Sequence, residues 1–109
     1  MIGVFVKFQY TDGFSVEKVE KIATGARQKF VGMPGLRSKA FTFDEAAKTA
    51  VNFYVWESRE AAEAFFTPQL VEGVTGLYGV RPEVQFVEIA TLVDNANEPL
   101  TAPATVSVQ

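Results

Sequence analysis

Leu36-Arg37-Ser38-Lys39-Ala40-Phe41-Thr42-Phe43-Asp44, then Glu45-Ala46-Ala47-Lys48, then Thr49-Ala50-Val51-Asn52-Phe53-Tyr54-Val55-Trp56-Glu57, is the stretch that decides the fold. Two runs rich in β-branched and aromatic residues flank a four-residue connection, which is the pattern of a hairpin. The segments on either side of it are helical. Upstream, Ser15 suits an N-cap, and Val16, Val19, Ile22, Ala23, Ala26 and Phe30 recur at steps of three and four. Phe14 and Val19 have the spacing of a hydrophobic staple, and Gly32 and Pro34 end the helix. Downstream, Ser58 caps a second helix containing Ala61, Ala62, Phe65 and Phe66. Thr67-Pro68 reads as a fresh N-cap and N1 pair. It opens a short third helix from Gln69 to Leu77, weakened by Gly73 and Gly76.

The remaining strands lie at the ends. Ile2, Val4, Val6 and Phe8 alternate with Gly3, Phe5, Lys7 and Gln9, so residues 2–10 form a strand that Thr11-Asp12-Gly13 turns away. Gly79 breaks the chain, and Val84 to Val93 is the fourth strand. The order β-α-β-β-α-β predicts an α+β, ferredoxin-like domain with a four-stranded antiparallel sheet over residues 1–93. Right-handed crossovers put the first and third strands in its centre. Two main helices cover one sheet face only. The other keeps apolar side chains, either Val51, Phe53 and Val55 or Tyr54 and Trp56, and a homodimer joined through the sheet faces would cover them. Residues 94–109, rich in Ala, Thr, Pro and Asn, read as an extended arm.

Composition removes several functions. The 109 residues fit one domain. Ten Phe, three Tyr and one Trp are more rings than so small an interior hides, so some should line a cavity or an interface. A net charge of −3 without a basic block argues against nucleic-acid binding. No apolar run approaches the ~20 residues needed to span a membrane. The N-terminal apolar stretch has no basic residues before it, and there is no Cys, so a cytoplasmic protein without disulfides is expected. There is no His, which excludes serine–histidine triads and histidine-ligated zinc or haem. No Asp/Glu spacing suggests a metal site.

Period-two alternation puts Asn52, Tyr54 and Trp56 on one face. With Asp44 opposite Thr49, Phe41 faces Asn52, Lys39 faces Tyr54 and Arg37 faces Trp56. Two cations beside two rings could stack a flat aromatic ligand and stabilise its phenolate. The same residues also suit a bland role. Charges on an edge strand block unwanted pairing, cation–aromatic pairs stabilise sheets, and Tyr54 and Trp56 could simply fill the core. Tyr78 and Arg81 flank Gly79 and could close a pocket mouth or lie exposed in the turn. Glu88, within an apolar strand, is either a buried base or an exposed, ion-paired carboxylate. Gly32-Met33-Pro34-Gly35 follows a helix instead of preceding one, so it is not a phosphate loop.

Pro34-Gly35-Leu36 with Lys39 and Phe41, the run from Tyr54 to Phe66, and Asn97-Glu98-Pro99-Leu100 together resemble the YdhR-type monooxygenases. That family belongs to the dimeric α/β-barrel group, which includes the antibiotic-biosynthesis monooxygenases. The resemblance implies a sheet-to-sheet dimer and a pocket between sheet and helices that takes a small aromatic or polyphenolic molecule. It also implies oxidation with O₂ and no cofactor. In the better-understood relatives an Asn and a Trp four residues later line the pocket. Asn52 and Trp56 match that spacing and would be the catalytic pair, with Tyr54, Lys39, Arg37, Tyr78 and Arg81 binding substrate. A non-catalytic dimer that binds an aromatic or acyl metabolite in the same pocket is the alternative.

Overall fold

The computed structural model describes residues 1–95. The elements are β1 (Ile2–Gln9), α1 (Val16–Phe30), β2 (Leu36–Asp44), β3 (Thr49–Trp56), α2 (Arg59–Phe65), α3 (Pro68–Tyr78) and β4 (Glu83–Glu88). The strands form one antiparallel sheet in the order β2-β3-β1-β4, with β1 and β3 central. This is the expected ferredoxin-like α+β arrangement. Of the expected arm, only Asp94 and Asn95 are among the described residues; the rest of it, with Asn97-Glu98-Pro99-Leu100, lies outside them. No helix among the described residues is long and apolar enough to cross a membrane.

Local chemistry accounts for the helix starts. The Ser15 hydroxyl accepts from the Lys18 N–H at 3.2 Å, Ser58 from Ala61 at 3.1 Å, and Thr67 from Leu70 at 3.1 Å with Pro68 at the first turn. Each bond satisfies an N–H that the helix leaves unpaired. α3 ends on Gly79 in the left-handed conformation (φ 87°). β4 is shorter than expected. It pairs with β1 from Lys7↔Glu83 to Ile2↔Glu88, and beyond Glu88 the partner strand has run out. One further bond, from the Ile89 N–H to the Met1 carbonyl, closes the ladder.

The hairpin register follows expectation at Asp44↔Thr49, Phe41↔Asn52 and Lys39↔Tyr54. A bulge between Leu36 and Ser38 then shifts it, so that Leu36, not Arg37, lies opposite Trp56. The bulge lets Leu36 pack on the core while Arg37 stays at the surface, 3.7 Å from Glu57. The core lies between the helices and the face bearing Ile2, Val4, Val6, Phe8, Ala50, Tyr54 and Trp56. The opposite face carries Val51, Phe53 and Val55, so the open set is resolved in their favour. Phe5 and Phe53 meet there with ring centroids 4.6 Å apart, and Phe5 is 38% exposed. Gly3 makes room for them: a Cβ at that position would lie 3.1 Å from both the Phe53 ring and Val87.

Candidate active site

Asn52, Tyr54 and Trp56 leave β3 on the helix-covered side, and all three are buried. Asn52 reaches α3, where its Nδ2 donates to Tyr78 Oη at 3.1 Å. Tyr78 is therefore no turn residue. α3 runs one residue further than expected, so Tyr78 continues the stripe of Leu70 and Val74 and faces inward. Its ring stacks on Phe8 at 3.7 Å, and its carbonyl accepts from Tyr10 Oη at 2.7 Å. Two strands thus fix the position of one α3 side chain. Asn52 Oδ1 accepts no hydrogen bond among the described residues and is left free as an acceptor.

Lys39 turns inward beside Tyr54, and its Nζ donates to Tyr54 Oη at 2.9 Å. Three rings surround the amine, with centroids at 3.5 Å (Phe30), 4.1 Å (Phe41) and 4.3 Å (Tyr54). Among the described residues no carboxylate pairs with it. Burial first, and the charge of Lys29 second, lower its ammonium pKa to about 7. The ring faces favour the ammonium and act against that lowering. Burial raises the phenol pKa of Tyr54 and of Tyr78, while the bond from Asn52 pulls Tyr78 the other way. Both tyrosines are therefore neutral hydroxyls at ordinary pH, able to donate.

A cavity of about 60 Å³ lies where α1 and α3 approach β2 and β3, lined by Phe30, Lys39, Asn52, Tyr54, Phe65 and Tyr78, with Lys29 and apolar residues of both helices. That volume admits a few water-sized molecules but is far below the ~300–1,000 Å³ usual for ligand sites. Two larger hollows adjoin it. One, about 540 Å³, lies between α1 and α3 and shares Ile22, Ala26, Lys29 and Leu77. The other, about 360 Å³, lies by the end of α1 and β2 and shares Phe30, Lys39 and Phe41.

Asn52, Lys39, Tyr54 and Tyr78 thus come together as the sequence suggested. The other three candidates do not join them. Trp56 lies behind the wall, stacked near-parallel to Tyr54 at 6.0 Å and against Phe65 at 5.2 Å, and is 1% exposed. Its indole N–H has no partner among the described residues, an uncommon cost for a buried donor. The bulge that brings Leu36 opposite Trp56 moves Arg37 to the rim of the outer hollow. Arg81 points outward to Glu72 at 3.2 Å, both side chains being about two-thirds exposed (67% and 69%). Glu88 is exposed and 3.9 Å from Arg59, so it is no buried base. Sequence reasoning missed Lys29, Phe30 and Phe65 as lining residues. The signal for Lys29 was present: it stands seven residues after Ile22 and three after Ala26, a charge on an apolar helical stripe. Among the described residues no cluster of three His, Cys, Asp or Glu could hold a metal.

No protein-family model and no curated protein matches the chain. Solved structures do. The monooxygenase from the gene ActVA-Orf6 of Streptomyces coelicolor, in complex with nanaomycin D, is 24% identical. The match covers 84% of this chain and 89% of that one, with a TM-score of 0.64. SnoaB, a cofactor-independent oxygenase from Streptomyces nogalater, is 16% identical over 84% of this chain and 95% of its own, with a TM-score of 0.60. Rv0793 from Mycobacterium tuberculosis is 12% identical over 85% and 98%, with a TM-score of 0.64. At these identities the likeness is one of fold, shared with structures described as antibiotic biosynthesis monooxygenases.

Proposed function

We propose that this chain is a cofactor-independent monooxygenase that oxidises an aromatic phenol with O₂. The observation that carries the reading is the amine of Lys39, 2.9 Å from the Tyr54 hydroxyl, on a cavity that Asn52 and Tyr78 also line. With a pKa of about 7, a large fraction of Lys39 is free amine at neutral pH, matched to the task of a general base. In the proposed reaction this amine takes a proton from an anthrone-type ring CH₂ or its phenolic tautomer. The ammonium so formed stays beside the anion, while Asn52 and the Tyr78 hydroxyl orient the ring oxygens. The anion passes one electron to O₂. The substrate radical and superoxide combine into a carbon-bound peroxide, which takes the proton back from Lys39. Loss of water leaves a ketone, so a CH₂ and O₂ become a C=O and H₂O, with O₂ as the sole oxidant. A multi-ring substrate would place only its reacting edge in the inner cavity and rest in the hollow between α1 and α3. Trp56 would hold the wall behind Tyr54 without touching substrate.

The fold shared with SnoaB, described as cofactor-independent, supports this reading, as does the aromatic ligand of the ActVA-Orf6 monooxygenase. The YdhR-type branch rests on the segments quoted above. The outer face, where Val51 and Phe53 are half-buried and Phe5 is exposed beside a buried Val55, supports a homodimer joined sheet to sheet. An oxygen electrode with anthrones and hydroquinones tests the activity. Uptake above buffer should appear and fall roughly 100-fold in Lys39→Met. No uptake from any of these compounds, or uptake indifferent to Lys39 and Asn52, rejects it. The position of Trp56 away from the cavity favours, as a second reading, a binder without catalysis. Calorimetric binding without oxygen uptake would select that one.

A further inference from the structure

We infer that the ligand of this site carries an anionic group, a carboxylate on an aromatic ring system, held at the pocket entrance by Lys29 and its cationic neighbours. The inference rests on reading the site as a pocket for an aromatic molecule, and it adds the charge class of that molecule. The chain is acidic overall, with thirteen Asp and Glu against ten Lys and Arg. Yet the inner cavity and its two adjoining hollows are lined by Lys18, Lys21, Arg27, Lys29, Arg37 and Lys39, and no Asp or Glu among the described residues lines any of the three. Six of the ten Lys and Arg side chains therefore converge on one continuous region of an otherwise negative molecule, five of them as full cations beside the Lys39 amine.

Ordinary surface pairing does not use these charges up. Among the described residues only Arg37 of the six is ion-paired, to an exposed Glu57 at 3.7 Å. The acids of α1 are Glu17, one turn before Lys21, and Glu20; neither lines these hollows, and Glu20 lines a separate depression with Phe43. The floor between α1 and α3 is apolar, made by Ile22, Ala26 and Leu77, and Leu77 is 51% exposed. An apolar floor with a cationic rim fits a flat ring bearing a carboxylate better than it fits a neutral phenol. Like charges left unpaired around a hollow repel one another, and an anion relieves that repulsion on binding.

The test is calorimetry under nitrogen with two matched probes, an ortho-hydroxynaphthoic acid and its amide. The acid should bind about tenfold tighter or more than the amide. Lys29→Gln should weaken the acid several-fold and leave the amide unchanged, whereas Lys48→Gln, in the distant hairpin turn, should change neither. Raising salt from about 20 to about 300 mM should weaken the acid alone. Equal affinities, an equal loss for both probes in Lys29→Gln, or no binding of either overturns the inference. Oxygen uptake is measured separately. A preference for the acid without uptake rejects the oxygenase alone, and uptake without a preference rejects the anionic ligand alone.

Discussion

Lys39 is the side chain on which most of the site's behaviour turns. It stands on the edge strand yet points inward among Phe30, Phe41 and Tyr54. Its pKa falls from 10.5 to about 7, so between those values the unfolded chain binds more protons than the folded one. Stability should therefore rise as pH climbs from about 7. Above about 10 the buried tyrosines, whose pKa values are raised, hold protons that the unfolded chain has lost, and the slope should reverse. Urea unfolding across this range should show the rise in the parent and lose it in Lys39→Met. A mutant that keeps the slope would assign it to another group. Asn52 makes a different prediction. Asn52→Ala leaves the buried Tyr78 hydroxyl without its donor and should cost about 1–3 kcal/mol in thermal or urea unfolding. An unchanged midpoint would mean that the Asn52–Tyr78 bond contributes nothing to the fold.

At the scale of elements, the legible parts were those decided by local chemistry. Ser15, Ser58 and Thr67-Pro68 marked helix starts because a side-chain oxygen three residues before a free N–H has few other uses. The hairpin register followed from its loop length and held as far as Ser38. Two things were not legible. The bulge at Arg37 exists because Leu36 must reach Trp56, a contact made across the sheet, so no window of β2 alone reveals it. The sequence leaves Tyr78 at a pocket mouth or in a turn because Gly79 looks like the break, whereas Gly79 is the left-handed residue that ends a helix including Tyr78. Reading Leu70, Val74 and Tyr78 as one stripe would have found it. The turn into β2 offers a sharp test. Gly35 has φ +82°, and a Cβ there would lie 2.9 Å from the Ala61 methyl on α2. Gly35→Ala should cost at least about 1–3 kcal/mol in urea unfolding and loosen α2 against the hairpin. Gly32→Ala, equally left-handed but with nothing near its Cβ, should cost less.

For the molecule as a whole, the sheet divides two tasks. Its inner face builds the core and the site, and its outer face keeps Phe5 and Phe53 in contact without helical cover. If that face joins two chains, Phe53→Lys should give a single-chain mass by light scattering while the circular dichroism of the parent is kept. A parent that is already one chain at micromolar concentration removes the dimer from the proposal. The lone tryptophan is held between the sheet and α2, its indole N–H without a partner among the described residues and its ring shut away from solvent. Such an indole emits at short wavelength, so intrinsic fluorescence reads out the aromatic wall directly. A colour that stays blue while a guest enters beside Lys39 means the wall stands. A shift to the red means that the guest gains its space by prising α2 from the sheet.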